Sequence, residues 1–414
     1  MRTLYTVVLR LALPLILLRL WWRGRREPGY REAVSERFGV YQGDKPEKLV
    51  WVHAVSVGEA RAAAPLVRGL IALLPDHRVL VTCTTAAGRD TLKQVYGDSI
   101  LSAFLPYDYP EAVQAFLAHF SPRLGVLMET EVWPNLLAAC AAKGVPVVLA
   151  NARLSEKSAR GYLRFRSLAE PAFASLALVC AQSEADAARL RSVGARRVEV
   201  TGNLKFDVGP DAGQLAAGRA WRASLGRPVL LLASTREKEE TLLLNEIGNE
   251  KNLLVVVVPR HPQRFDEVAP LAQSRRTRQP VPAPEHRVHL GDTMGEMPFY
   301  YAACDVAIIG GSFEPLGGQN LIEALAAGAA VVVGPSMFNF AEATRLAIEA
   351  RAAVQAGSAA EAVKCALALV HDSRERRHMS EAGRKLCLTH RGATERHLAL
   401  IAEVTASVTA AAPG

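Results

Sequence analysis

The chain is poor in the groups that mark disulfide-built and metal-built proteins. Its six cysteines, Cys83, Cys140, Cys180, Cys304, Cys365 and Cys387, are scattered, with no Cys-x-x-Cys pair and no histidine cluster at metal-ligand spacing. That excludes a disulfide framework and a zinc module, and fits reduced, buried thiols in a cytosolic body; no metal site and no cofactor are expected. No repeat with a period of about 20–50 residues is present, which excludes solenoids and propellers. No basic stripe interleaved with aromatics runs through the body, so the net charge of +8 is not the footprint of a nucleic-acid binder.

What is present is length, apolar runs and a lopsided charge. A chain of 414 residues exceeds what one core holds, so two domains are expected. Residues 1–32 carry seven arginines against two glutamates, which is five of the eight net positive charges. Leu4 to Trp22 is apolar apart from Arg10, Pro14 and Arg19. As one helix it spans roughly 28 Å, slightly less than the ~30 Å hydrocarbon core of a bilayer. Its aliphatic side chains favour insertion by about 3–7 kcal/mol against about 2.5–3.5 kcal/mol for a central arginine, so spanning and lying in the interface are finely balanced. Arg23-Gly24-Arg25-Arg26 replaces the small residues of a signal-peptide cleavage site and keeps the body on the cytoplasmic face. A single uncleaved N-terminal anchor attracted to anionic lipids is expected.

From Leu49 onward, short apolar strands alternate with helical patterns: 49–55, 78–83, 101–105, 124–128, 145–149, 176–180 and 198–201. This is the signature of parallel βαβ units. After Asp207-Val208-Gly209-Pro210 a second series begins, at 229–233, 253–258, 288–290, 306–309 and 330–333. The expected fold is α/β, with two Rossmann-like doubly wound domains facing a cleft. The expected boundaries are 1–32 for the anchor and juxtamembrane segment, 33–207 for the first domain, and 208–414 for the second with its C-terminal helices. Arg275 to Pro284, basic and proline-rich, reads as a mobile surface loop. The chain reads as helical from Asp372 to Val408, with an ill-ordered alanine-rich end.

Trp51-Val52-His53-Ala54-Val55-Ser56-Val57-Gly58-Glu59 is a strand that turns directly into a helix. Ligands of open α/β sheets sit beyond such strand ends, so Glu59 stands where a general base works. Ser56-x-x-Glu59 is equally a capping box, with the carboxylate reaching back to the Ser56 amide. The helix dipole is expected to keep Glu59 ionised at neutral pH, with burial beneath a bound lipid acting against it.

In the second half, Gly310-Gly311-Ser312 ends a strand, and Gly317-Gly318-Gln319-Asn320 opens a helix carrying Glu323. Glycines there let an anion approach backbone amides, and Glu323 is placed to accept from ribose hydroxyls; tight turns alone explain the glycines equally well. Lys205, Arg260 and His261 follow strands and present cations suited to a phosphate or an acidic sugar. Glu129 and Glu131 end the fourth strand, one to orient substrate and the other to start a helix.

Taken together, His53 to Glu59, Glu129-Thr130-Glu131-Val132-Trp133-Pro134-Asn135, Asn151-Ala152-Arg153-Leu154-Ser155, Gly202-Asn203-Leu204-Lys205-Phe206-Asp207, Val258-Pro259-Arg260-His261-Pro262, Gly310-Gly311-Ser312 and Phe338-Asn339-Phe340 closely resemble the 3-deoxy-D-manno-octulosonic acid (Kdo) transferases of Gram-negative bacteria. The resemblance runs nearly end to end. It implies a GT-B glycosyltransferase at the inner membrane, with CMP-Kdo as donor and a lipid A precursor as acceptor, inverting and independent of metal. It implies Glu59 as general base, Glu129 as an acidic site residue, and Lys205, Arg260, Asn320 and Glu323 as donor-binding residues. Gln319 stands where the family has histidine, so a role needing a protonatable imidazole is lost while a neutral hydrogen bond survives; Lys238 stands where glycine is common. Two other readings remain at the level of residues: a GT-B transferase or epimerase using a UDP-sugar, and a membrane-anchored binding protein with a degenerate site.

Overall fold

Continuous runs of Val, Leu and Ile with no polar face suit strands covered on both sides, and that is how they are used. The structure, a computed structural model, describes residues 1–43 and 45–411. It divides into two units, Met1–Val208 with the chain from Arg391 onward, and Gly209–His390. In the first, β1 (Leu49–His53), β2 (Arg78–Cys83), β3 (Leu101–Phe104), β4 (Leu124–Met128), β5 (Val147–Ala152), β6 (Leu178–Ala181) and β7 (Val198–Val200) form a parallel sheet in the order β3-β2-β1-β4-β5-β6-β7. In the second, β8 (Val229–Thr235), β9 (Leu254–Pro259), β10 (Ser274–Arg275), β11 (Val288–Leu290), β12 (Val306–Ile309), β13 (Ala330–Val333) and β14 (Ala353–Gln355) are likewise parallel, in the order β10-β11-β9-β8-β12-β13-β14. The first order reverses between β1 and β4 and the second between β8 and β12, with β10 lying outside β11 at the far edge of the second sheet. Crevices that admit ligands open at such reversals, beyond the carboxyl ends of the strands.

Packing holds these ends in place. Trp51 on β1 is fully buried, lies edge-on to Phe116 with centroids 5.1 Å apart, and donates its indole N–H to Thr82 Oγ1 at 2.7 Å. Its register partner on β4 is Gly125, where a β-carbon would lie 2.9 Å from Trp51 Cε3. A glycine in mid-strand is thus the space the indole needs.

Three expectations are corrected. The C-terminal helix Ala393–Ala411 belongs to the first unit, not the second. Asp207 caps its start by accepting from Gly392 N at 2.8 Å and Thr394 Oγ1 at 2.6 Å, and Ala393, Ile401 and Val404 join the core that holds β1 and β4. The helix runs on past the expected end at Val408 to Ala411, and the rest of the expected ill-ordered end, 412–414, lies outside the described residues.

The N-terminal run is not one straight helix but two, Arg2–Leu11 and Leu13–Arg26, bent by 51°. Pro14 causes the break, since it has no N–H for the carbonyl of Arg10 and its ring crowds that turn. No single helix among the described residues is long and apolar enough to cross a membrane; the bent pair passes that test only together. The segment is also not separate from the domain that follows. Tyr109 donates to Leu9 O at 2.9 Å, Asn135 Nδ2 to Thr6 Oγ1 at 3.0 Å, Arg10 pairs with Glu111 at 3.1 Å, and Leu20 packs on Tyr30 and Ala86.

Arg275 to Pro284 is pinned rather than mobile. Arg275 pairs with Asp292 at 2.8 Å, Arg276 lies over the Phe299 ring and pairs with Glu296, and Trp221 and Arg227 donate to the carbonyls of Pro280, Ala283 and Pro284. Periodicity is blind to carbonyls and guanidinium groups that tie irregular backbone down.

Candidate active site

In the first unit the reversal between β1 and β4 gathers three carboxylates and two cations. Ser56 caps the helix Val57–Ala62, its hydroxyl oxygen accepting from Glu59 N at 3.3 Å. The Glu59 carboxylate does not close the expected box on the Ser56 amide. Instead, Oε2 accepts from Val55 N at 2.9 Å and Oε1 from the Ser56 hydroxyl at 3.2 Å. Nor is the carboxyl held fully ionised at neutral pH. Burial, reinforced by repulsion from Glu129, pushes its pKa up to about 7, and the Val55 and Ser56 donors only moderate the rise.

Glu129 stands just beyond β4 with φ of +58°, a left-handed backbone that is costly for a residue with a β-carbon. The side chain is buried between two cations. Oε1 accepts from Lys205 Nζ at 2.8 Å and Oε2 from Arg153 Nε at 2.9 Å. Burial alone raises this carboxyl, but Lys205 and Arg153 override it and hold it at about 2. Two neighbouring carboxylates are thereby driven in opposite directions, the pattern that separates a proton acceptor from a fixed anion. Glu131 accepts from Trp133 Nε1 at 2.7 Å and is raised, chiefly by burial.

Lys205 reaches Glu129 through a backbone device. Asn151, φ +53°, sits at an irregularity in the pairing of β5 with β6, and its Oδ1 accepts from Leu204 N at 3.0 Å. Asn203 Oδ1 accepts from Lys205 N at 3.0 Å. Nothing in the local sequence marks Arg153 and Asn151 as site residues beyond their place in the stretch 151–155 that carries the resemblance.

The second unit uses its reversal differently. The amides of the glycine-rich loop are taken up internally: Gly311 N donates to Glu239 Oε2 at 2.6 Å, Gly317 N to Ser336 Oγ at 3.2 Å, Gly318 N to Gly311 O at 2.8 Å and Gln319 N to Gly310 O at 3.1 Å. Ser312 is fully buried, its hydroxyl donating to Ile309 O at 2.6 Å and accepting from Gly334 N at 2.8 Å. The amides of Gly311, Gly317 and Gly318, read from sequence as open to an anion, are thus bonded within the unit, and the Ser312 hydroxyl ties the end of β12 to the turn after β13. Gly317 and Gly318, at φ +85° and +73°, have no room for a β-carbon against Asn339 and Met337. Glu239, which fills the nest with its own carboxylate, reads in the sequence as an ordinary acidic residue of a first helical turn. Lys238 adopts φ +71°.

Arg260, Gln319, Asn320 and Glu323 are half-buried. Arg260 Nε donates to Gln319 Oε1 at 3.1 Å, so the glutamine serves as a neutral acceptor, in line with the neutral hydrogen bond expected of it. Asn320 caps the helix Leu321–Ala327 by accepting from Ile322 N at 3.1 Å, and its Nδ2 holds Glu323 Oε1 at 3.0 Å. His261 is not the cation expected of it. Burial, with Arg260 and Arg236 beside it, lowers its pKa and leaves the ring neutral at neutral pH. Behind these, Arg264 and Glu240 form a buried bidentate pair at 2.6 and 2.9 Å, and Thr235 donates to the same carboxylate at 2.6 Å, locking the ends of β8 and β9.

Residues 32–208 match the family model described as 3-deoxy-D-manno-octulosonic-acid transferase (kdotransferase), and residues 281–386 match that of glycosyl transferases group 1. The 3-deoxy-D-manno-octulosonic acid transferase of Bordetella pertussis is 48% identical, over 96% of this chain and 98% of its own. That of Haemophilus influenzae is 33% identical, over 97% and 98%. A glycosyltransferase from Rickettsia africae shares the two-sheet GT-B fold with a TM-score of 0.60 at 12% identity, over 90% of this chain and 100% of its own. This chain belongs to the 3-deoxy-D-manno-octulosonic acid transferase family and is a GT-B glycosyltransferase.

Proposed function

We propose that this glycosyltransferase moves Kdo from CMP-Kdo to a lipid A precursor on the cytoplasmic face of the inner membrane, with inversion and without a metal ion. The observation that carries the reading is Glu59, a carboxyl raised to about 7 at the reversal of the first sheet. Such a group is partly ionised near neutral pH, so it is available as a base there, and it binds a proton more tightly than an ordinary carboxylate. The acceptor hydroxyl oxygen attacks the anomeric carbon of Kdo and gives its proton to Glu59. The bond from that carbon to the phosphate oxygen breaks, and its electron pair leaves with CMP.

Lys205 and Arg153 keep Glu129 anionic, and Glu129 in turn keeps Glu59 basic. In the second unit Arg260 supplies positive charge to the departing phosphate, while Gln319, Asn320 and Glu323 orient the nucleotide sugar; this cationic side chain does the work a metal does in other transferases. The N-terminal helix pair lies in the interface of an anionic membrane. Leu4, Leu11, Leu15, Leu18 and Trp22 are exposed, while the opposite face is tied to the body.

Incubation of the full chain with CMP-Kdo and the lipid acceptor, followed by mass spectrometry of lipid and nucleotide, tests the reading. A mass gain of Kdo on the lipid with release of CMP is expected. Transfer from a UDP-sugar with release of UDP, and none from CMP-Kdo, overturns it.

A further inference from the structure

Arg37, in the short helix Val34–Phe38, is 2% exposed. One of its guanidinium nitrogens donates to Thr84 O at 3.0 Å, while Nε and Nη2 have no hydrogen-bond partner among the described residues. The guanidinium lies over the Phe104 ring, 4.0 Å from the centroid. The acid next to it in sequence is already engaged, since Glu36 takes Arg89 at 3.0 Å and Phe104 N at 2.7 Å. Buried donors are almost always satisfied, and a buried guanidinium with two N–H groups left over has the charge and the donors that suit an anion.

Arg37 lines a cavity of about 270 Å³ between the second N-terminal helix and the carboxyl ends of β1, β2 and β3. Arg19 and Arg23, one helical turn apart and so on one face, line the same cavity, and Arg23 is steadied over Tyr30 at 4.3 Å. Val55, whose amide holds Glu59, forms part of its wall. Glu131 also lines it, with its carboxylate taken by Trp133. Ile16 and Leu20 line the side towards the exposed apolar face of the helix.

We propose that this cavity is an anion subsite that takes a phosphate monoester of the glycolipid acceptor, with Arg37 at its buried end and Arg19 and Arg23 at its mouth. Three guanidinium forks match the several oxygens and double charge of a phosphate monoester better than a single carboxylate. The subsite binds the acceptor beside Glu59, and it makes the N-terminal helix part of acceptor recognition as well as of membrane attachment. This inference rests on the reading of the acceptor as a phosphorylated glycolipid.

The test is binding of the full chain to neutral detergent micelles doped with the phosphorylated glycolipid or with its dephosphorylated form, alongside KM for each. The wild type is expected to bind the phosphorylated lipid at least about tenfold more tightly. The double variant Arg19→Gln/Arg23→Gln is expected to lose that preference while its KM for CMP-Kdo is unchanged. Because both positions lie at the cavity mouth, the result does not depend on whether a variant at buried Arg37 folds. Equal binding of the two lipids by the wild type, or a preference that survives in the double variant, overturns the proposal. So does an equal loss of affinity of the variant for phosphatidylglycerol vesicles, which would assign the arginines to bulk lipid headgroups. A wild type that discriminates between the lipids but transfers no Kdo would refute the transferase reading and leave the subsite standing.

Discussion

Lys205 and Glu129 meet at 2.8 Å although 76 residues of chain separate them. The contact joins a turn beyond β7 to the end of β4, and with Arg153 it holds the Glu129 carboxyl at about 2 while its neighbour Glu59 rises to about 7. A fixed anion beside a titrating one is an arrangement with measurable consequences.

Glu59→Gln keeps the length and much of the hydrogen bonding of the side chain but removes the base. The variant is expected to fold and bind CMP-Kdo, with turnover reduced at least about a hundredfold. Near-normal turnover of the folded variant ends the catalytic assignment. In the wild type, the rising limb of kcat against pH is expected near 7, well above the range of an ordinary glutamate.

The neighbours of Glu59 are expected to move that limb in opposite directions. Glu129→Gln removes a repelling charge and leaves Lys205 and Arg153 uncompensated, so Glu59 becomes more acidic and the limb shifts to lower pH. Lys205→Met removes one cation and shifts it to higher pH. Shifts of the same sign in both variants, read from kcat profiles, would contradict the coupling.

The same two carboxyls set opposite pH dependences of stability. The folded protein holds the Glu59 proton more tightly than the unfolded chain, where the pKa is 4.5, so this contribution is full below about 4.5 and lost as pH rises through about 7. For Glu129 the folded pKa is depressed, so its contribution is present above about 4.5 and lost as pH falls towards 2. Urea midpoints are therefore expected to improve in Glu59→Gln relative to wild type only above about pH 5, and to worsen in Glu129→Gln at neutral pH.

Chelation with EDTA is expected to leave transfer intact, since Arg260 provides the charge at the donor. Arg260→Gln should raise the KM for CMP-Kdo and leave the KM for the lipid unchanged. Loss of activity on chelation, restored by magnesium, would refute this.

Attachment through the N-terminal helices should weaken with salt, because part of it comes from arginines facing anionic lipid. Sedimentation with anionic vesicles at rising sodium chloride measures it; binding indifferent to salt would indicate a spanning pair. In the core, Gly125→Ala is expected to cost about 1–3 kcal/mol through overlap with Trp51, measurable by denaturant unfolding with little change in kcat of the folded enzyme.

Local chemistry in the sequence was enough for the two parallel sheets, because strands buried on both faces need unbroken apolar runs and the helices between them need a 3.6-residue period. The short strands β10 and β14 fell below that signal. Glu59, Glu129, Lys205 and Arg260 were legible as polar residues at strand ends, where no core requires them. Only the tertiary structure decided their states. Whether Glu59 is ionised depends on burial and on Glu129, whether Lys205 is held depends on Asn151, and whether the loop amides at Gly311, Gly317 and Gly318 are available depends on Glu239, Ser336 and Gly311 O. Each of these is a through-space energy between groups distant in the chain, and periodicity and spacing carry no record of it. Arg37 is the extreme case, since in sequence it is one more arginine near a basic N-terminus, and in the fold it is a buried cation lining a cavity with two of its nitrogens unbonded among the described residues.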